Sequence, residues 1–173
     1  LLVGPCGGGK TVLGYRLQGG KTVSTVTSMK PHLLQVKSES NSSKTVSVID
    51  FPGHPRLRSQ LVSEYLARAK KIVFVIDSAN NVAKLREAAE YLYDLFIDPS
   101  FESGGPPVMV VCNKSDVPGA LPAMRTKLRL QEEVEKIRKT RQSLQESNET
   151  GGRVVLGREG QPFSIDKGNL SKH

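Results

Sequence analysis

The sequence predicts an α/β fold, a mostly parallel twisted sheet with helices on both faces. Three observations carry that reading. The apolar run Leu1-Leu2-Val3 leads through a glycine-rich loop into a helix-compatible stretch, 12–17. The runs 72–76 and 108–111 are continuously apolar, as in strands covered on both faces. Around them, apolar residues recur at helical spacing, and strands alternating with helices favour a parallel sheet. In such a sheet the ligand belongs at the carboxyl ends of the strands.

The remaining elements follow in chain order. Residues 18–31 lose periodicity and are rich in Gly, Ser and Thr, so they form a long loop. Residues 33–37 and 44–49 read as strands around the polar turn 38–43, an antiparallel hairpin. Asp50-Phe51-Pro52-Gly53 ends the second of these. Leu57, Leu61, Tyr65 and Ala69, with Val62 and Leu66, repeat as a helix. Asn80 or Asn81 can cap the next helix, whose apolar face is Val82, Leu85, Ala89, Leu92 and Phe96. Residues 99–107 are a loop. A last helix near 121–146 carries Leu130, Val134, Ile137, Arg141 and Leu144 on one stripe. Glu132 with Lys136 and Glu135 with Lys139 are i,i+4 pairs on its wet side, and Arg125, Lys127, Arg129, Arg138 and Arg141 make it basic. Residues 154–156 and 161–165 read as short strands. No repeat or linker interrupts the chain, so 1–173 reads as one domain.

At 173 residues the chain is long enough for a full core. Lys+Arg 25 against Asp+Glu 17 gives a net charge of +8, which admits nucleic acid, ribosome or an anionic membrane as partners. Cys6 and Cys112 are the two cysteines. Their placement, one in the glycine-rich loop and one ending a strand, suggests neither a disulfide framework nor a zinc site. No apolar run approaches the ~18 residues of a membrane span. The chain opens on Leu1 inside a strand, so the expectation is that an N-terminal segment has been removed from it.

The motifs carry the chemistry. Gly4-Pro5-Cys6-Gly7-Gly8-Gly9-Lys10-Thr11 fits G-x-x-x-x-G-K-[ST] in the strand–loop–helix context that the motif requires. Its glycines let backbone N–H groups wrap an anion, and the helix that follows adds a favourable dipole. Lys10 neutralises terminal phosphates and the Thr11 hydroxyl ligates Mg²⁺. Asp50-x-x-Gly53 ends a strand one hairpin later. There the Asp holds Mg²⁺ and the Gly53 N–H bonds a γ-phosphate, so loss of that phosphate releases the following segment. Asn113-Lys114-Ser115-Asp116 ends another buried strand. A carboxylate at Asp116 accepts from N1–H and the exocyclic amine of guanine, a donor pair adenine lacks. Lys114 lies over the base and Asn113 pins the loops together. A Thr in the 18–31 loop should also ligate Mg²⁺, with Thr22, Thr25 and Thr27 as candidates.

In this order the motifs resemble those of small GTPases of the Ras superfamily, a P-loop NTPase architecture. Thr22-Val23-Ser24-Thr25-Val26 is similar to the T-I-P-T-I switch of the Arf/Sar branch, which favours Thr25 as the metal ligand. More closely, L-L-V-G-P-C-G-G-G-K-T, T-V-T-S-M-K-P, V-I-D-F-P-G-H-P-R-L-R, I-V-F-V-I-D-S-A, A-E-Y-L-Y-D-L and E-V-E-K-I-R-K-T-R resemble the β-subunit family of the signal recognition particle receptor over most of 1–142. Leu156-Gly157 to Phe163 resembles that family's late loop.

The resemblance implies a GTP- and Mg²⁺-binding switch. The nucleotide would touch Gly4, Cys6, Gly7, Gly8, Gly9, Lys10, Thr11, Val12, Gly53, Asn113, Lys114 and Asp116, and the metal Thr11, Thr25 and Asp50. It further implies that the GTP-bound form holds the N-terminal domain of the receptor α subunit at the cytosolic face of the endoplasmic reticulum. Signal recognition particle and ribosome would be indirect partners, and the membrane anchor would lie outside this chain. Two departures stand out. Position 54 is His rather than Gln, which leaves His54, with Lys10, as the candidate catalytic group of a slow GTPase. No S-A-K or C-A-T guanine-contact motif follows, nor a clear last strand and helix. The C-terminal end is therefore expected to be missing from this chain, or the base contact incomplete. Two rival readings are an Arf-like trafficking GTPase with regular turnover and a ribosome- or RNA-contacting module using the basic helix 125–141.

Overall fold

The structure, a computed structural model, describes residues 1–20, 24–38, 44–79, 81–101, 105–146, 156–157 and 163–165. It divides into two compact units, one of 1–77 with 106–114 and one of 78–105 with 115–173.

The first unit holds the whole of the described sheet. Its strands are β1 (Leu2–Val3), β2 (His32–Lys37), β3 (Thr45–Asp50), β4 (Ile72–Asp77) and β5 (Val108–Asn113), in the order β2-β3-β1-β4-β5. The hairpin β2–β3 is antiparallel, pairing Leu34 with Val48 and Lys37 with Thr45, and every other pair is parallel. This is the mostly parallel α/β sheet that the sequence predicts. Central β1 is only two residues long, yet Leu2 and Val3 are 1% and 0% exposed. In β4, Phe74, Val75 and Ile76 are at most 1% exposed, as the unbroken apolar run requires. Helix α1 (Lys10–Leu17) lies on β1, β2 and β3.

Two expectations are corrected in this unit. The run 108–111 was expected to be buried on both faces. The strand it forms is half-buried, with Met109 59% exposed, and is an edge of the described sheet. The helix expected over 57–69 is also not one regular helix. The segment 55–68 passes through a 3₁₀ turn at Pro55–Leu57, one α turn, a π turn at Leu61–Tyr65 and a 3₁₀ turn at Leu66–Arg68. Apolar residues spaced strictly by four drift around a helix of 3.6 residues per turn. The wider π turn takes up that drift and lets Leu61 and Leu66 both reach complete burial.

The second unit holds α2 (Val82–Phe96) and α3 (Ala123–Glu146), packed on each other. The Asn81 side chain accepts the Lys84 N–H at 3.1 Å and caps α2. Asn80 lies outside the described residues. Ala89, Leu92 and Phe96 are buried as expected, but Val82 is 66% exposed, because burial begins only at Ala88, two turns into the helix. On α3 the buried stripe is Thr126, Leu130, Val134 and Arg138. Leu144, expected on it, is 57% exposed. The expected i,i+4 pairs are replaced by i,i+3 pairs, Lys136–Glu133 at 2.6 Å and Arg138–Glu135 at 2.9 Å. Glu135 also accepts the Phe163 N–H at 3.1 Å, and the Phe163 ring packs 5.9 Å from Phe96. Residues 156–157 and 163–165 are not strand. The rest of the two short strands expected there lies outside the described residues.

Candidate functional site

The glycine-rich loop leaves the carboxyl end of β1, between β3 and β4, and delivers the chain into α1. Gly9 is the residue before the helix and has φ 88°, a left-handed conformation that side chains resist. A Cβ there would also collide with the Asn113 side-chain amide. That amide donates to the Gly8 carbonyl at 2.9 Å, so Asn113 does tie the loop to the end of β5. Gly53 is the second required glycine. A Cβ on it would fall 2.6 Å from the Cys6 nitrogen and the Gly4 oxygen. The segment after β3 thus presses directly on the loop, and the first-turn N–H groups of α1, which have no partner within the helix, open beside it.

Three side chains meet at this point. Lys10 is 7% exposed and its ammonium donates to the Pro5 carbonyl at 2.9 Å. The Thr11 hydroxyl donates to Asp50 Oδ2 at 2.6 Å. Asp50 is 1% exposed, and its second oxygen, Oδ1, has no hydrogen-bond partner among the described residues. Burial raises the Asp50 pKa above 3.8, and the Thr11 hydrogen bond and the charges of Lys10 and His32 only partly oppose it. A buried carboxylate oxygen without a partner is costly unless something cationic or a donor meets it. Beside a Thr hydroxyl and a glycine loop, this donor set suits a hard cation that takes oxygen ligands and keeps its waters, as Mg²⁺ does.

The cleft is lined by Cys6, Gly7, Gly9, Lys10 and Thr11, by Thr25, Val26, Thr27 and Ser28, and by Phe51, Pro52 and Gly53. The structure therefore brings Thr25 to the same cleft as Thr11, with Thr27 beside it. Thr22 lies outside the described residues. Gly4, Gly8 and Val12 stand behind the lining. A Cβ on Gly4 would clash with the Val75 carbonyl, and Val12 is half-buried. His54 does not line the cleft. Its Nδ1 accepts the Arg56 N–H at 3.3 Å and caps the 3₁₀ turn.

At the end of β5, Lys114 has φ 59°, the one left-handed non-glycine among the described residues. Its ammonium donates to Asp77 Oδ2 at 2.8 Å. The Asp77 side chain is 6% exposed and that of Lys114 35%. Sequence reasoning missed Asp77, although there was a signal. It is the carboxylate that ends the largely buried strand β4, in register with Asn113 across β4 and β5. Asp116 is exposed and belongs to the second unit. On α3, the basic positions are not a uniform wet face. Arg138 is 8% exposed and paired to Glu135, and Arg141 bonds Asp94 at 2.9 Å while lying 4.4 Å over the Tyr93 ring. At least two of the five cations of the polyanion reading are thus engaged within their own unit. Among the described residues, no helix is long and apolar enough to cross a membrane.

Comparison with known proteins identifies the lineage of this site. The family model described as signal recognition particle receptor beta subunit matches residues 1–171. The chain belongs to that family. The mouse signal recognition particle receptor subunit beta is 32% identical over 169 residues, covering 96% of this chain and 63% of its own length. The chain thus spans under two thirds of that relative. The solved structure of the mammalian SRP receptor aligns with a TM-score of 0.82 at 32% identity, over 96% of this chain and 83% of its own. The signal recognition particle receptor SRb-GTP/SRX complex from Chaetomium thermophilum aligns with a TM-score of 0.71 at 25% identity, over 97% and 87%. The sheet accordingly has the small-GTPase fold of the receptor β-subunit family, the fold and family that the motifs resemble.

Proposed function

We propose that this chain is the GTP-binding switch of a signal recognition particle receptor. In the GTP state it would hold the receptor α subunit at the endoplasmic reticulum for co-translational targeting, and residues 1–173 would act as one GTP-binding domain. The observation that carries the reading is that Lys10 and Thr11 line one cleft with Thr25 and Gly53, and that the Thr11 hydroxyl is bonded to the buried Asp50, whose other oxygen has no partner among the described residues. Thr11, Thr25 and, through water, Asp50 would hold Mg²⁺. When bound, that ion neutralises charge on the terminal phosphates. Lys10 contributes the second fixed cation. The loop amides cradle phosphate oxygens, and Asn113 keeps the loop against β5. Lys114 covers the base, and Asp116 selects guanine by accepting its two donors. Thr25 and Gly53 sit on separate segments, so contact of both with the γ-phosphate couples its presence to the order of those segments.

Turnover is slow in this reading. A neutral His54 whose Nδ1 accepts the Arg56 N–H carries its proton on Nε2. Nε2 can then donate to a water but cannot take its proton. His54 therefore orients at most, and the site favours retention over hydrolysis. The test is capture of partners from the same lysate with the chain loaded with GTP or with GDP. Recovery of the receptor α subunit with GTP only is the expected result. Equal recovery in both states sinks the switch.

A further inference from the structure

The sheet-bearing unit is basic, and exposed cations cluster at one end of its sheet. Its described acidic residues are Asp50, Glu64 and Asp77. Asp50 and Asp77 close the carboxyl ends of β3 and β4, and Glu64 bonds Gln60 on the 55–68 segment. The opposite end is basic. Lys37 is the last residue of β2 and pairs with Thr45, the first of β3. Lys44 lies beyond that pair, its carbonyl accepting from Ser38. Arg68, Lys70 and Lys71 lead into β4, and the Lys71 carbonyl accepts from the amino group of Leu1 at 2.9 Å. All five side chains are exposed. Six strand residues separate the ends of β4, about 17 Å at 3.3 Å per residue. That puts Asp77 roughly two screening lengths from this end. Asp50, level with Val73, is nearer, but it is buried beside Lys10, and Asp77 is paired to Lys114, so neither carboxylate cancels the field of the exposed cations.

We infer that this pole, formed by Lys37, Lys44, Arg68, Lys70 and Lys71, is an electrostatic docking surface for an anionic lipid bilayer, which turns the nucleotide cleft away from the bilayer. Charge complementarity selects the partner class. Clustered Lys and Arg at one surface are drawn to acidic headgroups without needing a shaped pocket. A single-stranded nucleic acid site would add aromatic platforms, and no aromatic ring of Phe or Tyr in the described part of this unit is exposed. The inference does not depend on the switch reading, since it uses none of the cleft residues.

The test is sedimentation of the chain with vesicles of phosphatidylcholine alone or mixed with phosphatidylserine, across a range of salt. The variant Lys70→Glu/Lys71→Glu is compared with a charge-matched control on α3, Arg125→Glu/Lys139→Glu, whose positions are also exposed. Nucleotide affinity, measured in parallel, reports that each variant is folded. The expected result is salt-sensitive binding to the acidic vesicles only, weakened at least roughly thirtyfold by the pole variant and much less by the control. Binding to neutral vesicles, or equal loss in both variants, overturns the inference. So does failure to bind acidic vesicles while a polyuridylate probe binds and is released by the pole variant, which would make the pole a nucleic-acid surface.

Discussion

At Asp50 the demands of folding and of ligand binding oppose each other. Burial raises its pKa above 3.8 against the pull of Thr11, Lys10 and His32. Between the unfolded and folded pKa values the native state keeps a proton that the unfolded state has lost. Stability of the nucleotide-free chain therefore falls as pH rises through that window, and the penalty persists at neutral pH. Asp50→Asn removes the charge while its amide oxygen still accepts from Thr11. It is expected to stabilise the nucleotide-free chain by roughly 1–2 kcal/mol and to flatten that pH dependence. It should also weaken Mg²⁺-dependent GDP binding at least about tenfold. Urea unfolding at several pH values and a fluorescent-nucleotide titration measure both effects, and a destabilised variant would contradict the argument. Asp77 poses the complementary case. Loss of its charge-assisted bond to Lys114, worth about 1.5–3 kcal/mol, lets the lysine leave its place. Asp77→Ala should then speed GDP dissociation roughly tenfold, a change of about 1.4 kcal/mol, while leaving competition by inorganic triphosphate unchanged. Equal loss for both ligands would mean a general disturbance of the loop.

The elements differ in how much their local sequence determines. Strands β1 to β4, the hairpin and three helices are legible because period and apolar runs report burial that the chain imposes on itself. Phosphate loop, Asp50, Gly53 and Asn113 are legible because anion binding restricts residue type at fixed spacing. What was not legible depends on neighbours. An apolar run cannot say whether its strand ends up paired on one side or both, hence β5 at the edge. Four-residue spacing cannot say whether the backbone will stay α or wind wider, hence 55–68. The stripe on α3 shows the same limit, since Arg138 lies buried where an apolar residue would be expected. Its burial becomes reasonable only once Glu135 is seen beside it. This gives a prediction within one helix. Leu130 is 0% exposed and Leu128 is 52% exposed. Leu130→Ala should cost about 2–5 kcal/mol, and Leu128→Ala should stay within about 0.5 kcal/mol of the parent. Thermal denaturation of the two variants side by side checks the register of α3, and a reversed order would place the helix about half a turn from where it is drawn.

For the whole molecule, binding and switching separate into two measurable quantities. Any ligand held only by the folded state stabilises it by mass action, about 2.7 kcal/mol at a hundredfold excess over Kd. For a chain of this size that is a rise in Tm of roughly 5–10 °C. GDP with Mg²⁺ should produce such a rise, because loop, Lys10 and base contacts are common to both nucleotides. GTP at the same multiple of its own Kd should raise Tm similarly, so thermal shift alone cannot detect a switch. The difference must appear where the γ-phosphate makes its contacts, in the segments that carry Thr25 and Gly53. Arg56 follows Gly53 closely and is exposed, so trypsin can attack after it when 55–68 opens. Cleavage at low protease concentration follows the population of the open form. A chain loaded with GTP should therefore be cut after Arg56 several-fold more slowly than one loaded with GDP, while cutting after Lys139 on α3 stays the same in both states. Equal rates after Arg56 would leave guanine-nucleotide binding intact and remove the γ-phosphate as its signal.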